Sequence, residues 1–244
     1  MSEHLKSVLY RLMITGCLFI MLAGCDIWKG KPDAVIEIDL TKPGKSLHSD
    51  AYNSSEDTTH LQSAGNLKAS LEVARKMIVM ENQAIDSNNS EQINHPGSTV
   101  SKSGHPYFSP SYYAVKLFMD NKPDKVIPTK VTMRSTDTAI IATAGVQEKA
   151  GLVIIKMVNQ SSLPKNCRIV LNYYLKIKYK GEVTVMTSKN IKDENTVKNP
   201  EKVVPMTDEL NGLTNTFNYK CPGNSVVIIK VRYRKGINGF GNCC

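Results

Sequence analysis

Apolar and polar positions along this chain fall into three regimes. Residues 12–24 form a 13-residue apolar run interrupted only by Thr15. Residues 66–85 have a helical period: Leu67, Leu71, Ala74 and Ile78 recur at spacings of 4, 3 and 4, and Val73, Met77 and Met80 broaden the stripe. Lys68, Glu72, Arg75 and Lys76 stay outside it, and Asn66 stands where its side-chain oxygen can cap the first turn. From Asn121 the period becomes two. Residues 126–127, 130–134, 138–143, 152–158, 169–179, 183–187 and 224–233 read as short β-branched strands separated by turn residues.

These regimes predict a mainly β chain with an N-terminal helix (α+β) and a C-terminal antiparallel β-sandwich. The expected divisions are residues 1–24, 25–65, 66–120 and 121–244. The second is a tether, because residues 41–63 are rich in Ser, Asp, Thr, Gly and Pro, although residues 34–40 look like a strand. Within it, Gly44-Lys45-Ser46 looks like the end of a phosphate loop, but Asp39 stands where the first glycine is required. The third is a helix-containing region whose aromatic segment, residues 107–119, is a candidate edge strand or short helix. The stripe on residues 66–85 fits packing on the helix's own domain or, with its methionines, docking of a partner. Gly181 suggests a hairpin at residues 179–183, and residues 189–212 a long loop.

The N-terminal run is too short to span a bilayer, which takes about 20 apolar residues. Lys6 and Arg11 precede it, and Leu22-Ala23-Gly24-Cys25 closes it. This arrangement resembles the signal and lipobox of bacterial lipoproteins. The resemblance covers residues 1–25 and implies cleavage before Cys25, with fatty acyl chains such as palmitate on the new N-terminus. Two or more chains make such an anchor stable, at about 0.8 kcal/mol per buried methylene. Asp26 resembles the signal that retains a lipoprotein at the periplasmic face of the inner membrane, with the outer membrane as the alternative.

Cleavage would leave 220 residues with 29 basic and 21 acidic side chains, a net charge of +8. Residues 167–235 carry 13 Lys/Arg against 6 Asp/Glu and hold most of that excess. In an exported chain this excludes nucleic acid as the expected partner and favours an envelope protein, anionic lipid or anionic polymer. Strand alternation sharpens the point. Tyr173, Leu175, Ile177 and Tyr179 alternate with Lys176, Lys178 and Lys180, and Val227, Ile229, Val231 and Tyr233 alternate with Lys230, Arg232 and Arg234. With apolar residues inward, neighbouring placement of the two strands would build one face of six cations, a candidate site for an anionic partner.

Cys167, Cys221, Cys243 and Cys244 are disulfide candidates in an oxidising compartment, and they lack the paired spacing of a zinc site. Pairing each terminal cysteine with Cys167 or Cys221 avoids a vicinal bridge. Closing a loop of about 50 residues would contribute roughly 4 kcal/mol in the chain-entropy model. No metal or cofactor site is expected. His48, His60, His95 and His105 have no metal-binding spacing, no Gly-x-Ser-x-Gly elbow occurs, and Glu56-Asp57 and Asp193-Glu194 lie in polar sequence. The function expected from these features is a non-enzymatic, membrane-anchored binding or structural subunit of an envelope assembly such as secretion or conjugation machinery. The alternatives are a shielding lipoprotein (an exclusion or immunity factor) and an envelope hydrolase.

Overall fold

The computed structural model describes residues 30–46, 65–86, 99–100, 106–134, 136, 138–173 and 176–234. Among them run, in chain order, β1 (Ala34–Ile38), β2 (Lys45–Ser46), α1 (Leu67–Asp86), β3 (Thr99–Val100), β4 (Pro106–Tyr107), α2 (Pro110–Asp120), β5 (Lys125–Ile127), β6 (Thr129–Met133) and β7 (Ile140–Gln147). There follow β8 (Leu152–Asn159), β9 (Lys165–Leu171), β10 (Lys176–Ile177), β11 (Lys180–Thr187), β12 (Met206–Asn211), β13 (Thr216–Cys221) and β14 (Ser225–Arg234).

The long apolar runs of β8 and β14 belong in the middle of a sheet covered on both faces, and that is where they sit. An eight-stranded sheet runs β12-β11-β14-β8-β7-β5-β2, with β10 also on β14. Its inner face packs on a four-stranded sheet, β13-β9-β1-β6, through a core that includes Ile36, Ile38, Ile155, Met157, Ile169, Val227, Ile229 and Val231. The outer face carries α1 and α2 over a second core of Leu67, Leu71, Met77, Ile78, Phe118, Ile154, Val226 and Ile228. Val227, Ile229, Val231 and Tyr233 therefore face the sandwich, while Val226 and Ile228 lie beneath the helices. The expected fold class is what the structure shows, with one addition: β1 runs parallel to β9.

The helices follow from local sequence. Asn66 Oδ1 accepts from Ala69 N at 3.1 Å, the cap its position suggests. Ser109 Oγ accepts from Tyr112 N at 3.2 Å, and Pro110 opens α2 in the first turn, where its missing N–H costs nothing. The aromatic segment is thus a helix rather than an edge strand. The stripe of α1 is spent on its own sheet, leaving no free docking face of the expected kind.

Between the helices and the sheet lies a buried ion pair. Lys156 of β8 is 1% exposed and Glu81 of α1 is 3% exposed, and they form a salt bridge. The Lys156 ammonium lies 4.6 Å from the centroid of the Phe118 ring and 3.4 Å from the Phe118 carbonyl oxygen. Burial pushes the Lys156 pKa down, against the pull of Glu81.

Several expected boundaries move. Residues 34–38 are not part of a tether: β1 is central in the four-stranded sheet, flanked by β6 and β9, with Ile36 and Ile38 fully buried. Residues 66–120, whose packing the sequence leaves open, supply α1 and α2, which pack on the outer face of the eight-stranded sheet. The expected strand over 169–179 breaks after Leu171, and Tyr173 and Tyr179, expected inward, are 47% and 65% exposed. No hairpin forms at Gly181, because β10 and β11 both pair with β14. The expected loop over 189–212 contains β12, an edge strand with little apolar signal. Lys45–Ser46, which Asp39 already excludes as a phosphate loop, is β2, paired to β5.

Candidate functional site

Beyond the cover of α1 and α2, the outer face of the eight-stranded sheet opens as the side chains of β14 change from Val226 and Ile228 to Lys230, Arg232 and Arg234. Lys176 stands opposite Arg234, and Glu182 of β11 stands opposite Lys230. The six cations expected on one face are therefore brought onto adjoining strands. Three of them, Lys178, Lys180 and Arg232, line an open trough of about 520 Å³ together with Gly181, Glu182, Thr207, Asp208 and Glu209.

The trough is not the purely basic face of the sequence reading. Lys180 Nζ lies 2.9 Å and 3.2 Å from the two carboxylate oxygens of Glu209, and Asn211 Nδ2 donates to Glu209 at 3.0 Å. Arg232 and Lys230 reach Glu182 at 3.5 Å and 3.7 Å. Among the lining residues, two cations pair with two carboxylates, Lys180 with Glu209 and Arg232 with Glu182. Glu182 could be found from its parity with Lys178 and Lys180. Asp208 and Glu209 could not, because β12 reads as loop.

Gly181 decides how close the strands come. A Cβ there would meet the Lys230 carbonyl oxygen at 2.4 Å and Leu213 Cδ1 at 2.5 Å, so β11 can lie against β14 only without a side chain at this position.

Chemically, the trough offers donors and acceptors side by side. Glu182 and Glu209 are cross-strand partners, and such pairs hold their Cβ atoms about 4.5–5.5 Å apart. A pair of carboxylates can act as acid and base only where one of them is held protonated. Glu209 is tuned the other way: the hydrogen bond from Lys180, then that from Asn211, holds its carboxyl below the ordinary value. Glu209 is thereby held as an ionised acceptor.

Other expected positions fare differently. Cys167 and Cys221 are both buried in the sandwich core as free thiols. They lie on paired strands, so each has the other as a thiol neighbour. Cys25, Asp26, Cys243, Cys244 and the four histidines lie outside the described residues. Phe108, Tyr112 and Tyr113 pack on one another with centroids 4.3–6.1 Å apart, half-buried at the start of α2. Among the described residues no group of three or more His, Cys, Asp or Glu is arranged to hold a metal, and no helix is long and apolar enough to cross a membrane.

Two packed sheets, two helices across the outer face and an open polar trough beyond them define a β-sandwich module. Residues 46–225 match the family model described as the alpha-L-arabinofuranosidase C-terminal domain, and the chain belongs to that family. It is 29% identical over 116 residues to alpha-L-arabinofuranosidase 1 of Arabidopsis thaliana, covering 46% of this chain and 17% of the relative. The arabinose-bound structure of the α-L-arabinofuranosidase MgGH51 superposes with a TM-score of 0.59 at 23% identity, over 70% of this chain and 28% of that one. The arabinose complex of the Thermotoga maritima enzyme gives 0.58 at 19% identity, over 73% and 40%. These structures share the fold, and the chain spans well under half the length of each of these relatives.

The family overturns the expectation of a non-enzymatic binding or structural subunit of an envelope assembly. The match is to a glycoside hydrolase family, and of the readings weighed on the sequence it supports the hydrolase, not secretion or conjugation machinery and not a shielding factor. The lack of catalytic motifs, on which the non-enzymatic expectation rested, accords with a match to a C-terminal domain.

Proposed function

We propose that this chain works in the hydrolysis of α-L-arabinofuranosides as the β-sandwich part of a glycoside hydrolase. Its trough contacts the saccharide, and the acid and nucleophile that cut the bond lie outside the matched stretch. The observation that carries this reading is the family match over residues 46–225, which includes all of the trough's lining except Arg232. The trough's chemistry supports it, since interleaved carboxylates and cations can accept from and donate to neighbouring sugar hydroxyls. The low pKa of Glu209 supports placing the general acid elsewhere.

The test is affinity electrophoresis of the full chain in gels with and without an arabinose-bearing polysaccharide, alongside release of nitrophenol from nitrophenyl α-L-arabinofuranoside. Retardation by the polysaccharide, lost in the Lys180→Ala/Glu209→Ala variant, supports the reading. Unretarded migration removes the saccharide contact. Turnover by the purified chain alone places the cutting carboxylates within it and overturns the division of labour.

The address is part of the same proposal. Residues 1–25 support export and a lipid anchor at Cys25, and Asp26 supports the periplasmic face of the inner membrane over the outer membrane. The membrane, through that lipid, and a saccharide polymer are then the partners. Incorporation of labelled fatty acid that disappears in Cys25→Ser would support the anchor, and incorporation that survives the substitution would overturn it.

A further inference from the structure

Among the described residues, β13 is the edge of the four-stranded sheet and pairs with β9. In that pairing Cys167 stands opposite Tyr219, and Cys221 lies two residues further along β13 on the same inward face, diagonal to Cys167. Both cysteines are 0% exposed within the sandwich core. Their thiols interact directly: the hydrogen bond between them, reinforced by burial, pushes Cys167 up, and the same bond holds Cys221 down.

Diagonal neighbours in such a ladder have Cα atoms about 7–8 Å apart, and bridged cysteines about 4.4–6.8 Å. The thiols already meet, and an edge strand held on one side can close a remaining shift of about 1 Å. We propose that Cys167 and Cys221 form a disulfide that ties β9 to β13 and closes the loop carrying β10, β11 and β12, the strands that border the trough. Its formation in the cell rests on the export reading above, while the pairing itself rests on the sheet register.

The chemistry balances with a small-molecule or protein disulfide as oxidant. The Cys221 thiolate attacks a sulfur of the oxidant's disulfide, forming a mixed disulfide and releasing one thiolate, which takes up a proton. The Cys167 thiolate then attacks Cys221 Sγ, forming the internal bridge and releasing the second thiolate, which is also protonated. The two cysteines together lose two protons and two electrons, and the oxidant gains them. Because both sulfurs are buried, the exchange occurs as the chain folds or when the edge strand opens.

The experiment uses the full chain carrying Cys243→Ser and Cys244→Ser, so that Cys167 and Cys221 are the cysteines remaining after position 25. The reduced protein is unfolded in urea, refolded with oxidised glutathione, quenched in acid, alkylated under denaturing conditions, digested and mapped by mass. The expected result is a linked pair of peptides with neither cysteine alkylated, and a thermal midpoint that falls on reduction. Alkylation of both thiols, or glutathione retained on either one, overturns the pairing. Mapping the unaltered chain taken from cells separates the two readings. A bridge obtained with glutathione but alkylated thiols from cells upholds the pairing and counts against export, and a bridge from Cys167 or Cys221 to Cys243 or Cys244 overturns the pairing.

Discussion

Replacing Lys156 with Met asks whether the buried ion pair holds the helices on the sheet. Methionine keeps most of the apolar stem, so packing loss stays within about 1.5 kcal/mol. The larger effect is electrostatic. Glu81, 3% exposed, loses its ammonium counter-charge in a site that water does not reach. Breaking a buried pair from one side costs about 3–5 kcal/mol. The ammonium's placement over the Phe118 ring adds up to about 2 kcal/mol when desolvated. At about 1.4 kcal/mol per tenfold, the folded-to-unfolded ratio should fall by at least 100-fold. In a chain of this size the thermal midpoint should drop by roughly 6–20 °C. Lys156→Met/Glu81→Leu removes both charges and should recover most of the loss, because paired burial itself carries a desolvation cost. Urea denaturation of the parent, both single variants and the double gives the coupling energy directly. A Lys156→Met cost under about 1 kcal/mol, or single costs that simply add in the double, would refute the reasoning.

Ile36→Ala should cost about 2–5 kcal/mol in urea unfolding, because β1 is core; a tether residue would show under about 0.5 kcal/mol. Gly181→Ala should destabilise by about 1–3 kcal/mol, since its methyl would meet the Lys230 carbonyl, and parent-like stability would mean that β11 does not lie against β14 as described. Glu209 has a folded pKa below its ordinary 4.5, so its ionised form contributes above that value and the contribution disappears as pH falls through the lower folded value. Saccharide retention should therefore be unchanged from pH 7 to pH 5 and decline only in stronger acid, and a midpoint near neutrality would show that Glu209 is not the group that matters.

The chain's local patterns determined more of the fold than of the site. The 3.6-residue stripe and Asn66 determined α1, and unbroken apolar runs determined β8 and β14, because burial on one or both faces is written in nearest-neighbour periodicity. The alternation of Lys230, Arg232 and Arg234 with Val231 and Tyr233 likewise determined which side of β14 carries charge. Period two tells which face a residue takes and says nothing of which strand lies beside it. Only the tertiary structure decided that β1 runs parallel to β9, that Glu209 crosses from a stretch without strand signal to meet Lys180, and that Cys167 meets Cys221. It also decided that Lys156 is not a surface lysine. Its partner lies 75 residues earlier on α1, and two charges so far apart in sequence become a pair only when helix and sheet close over them.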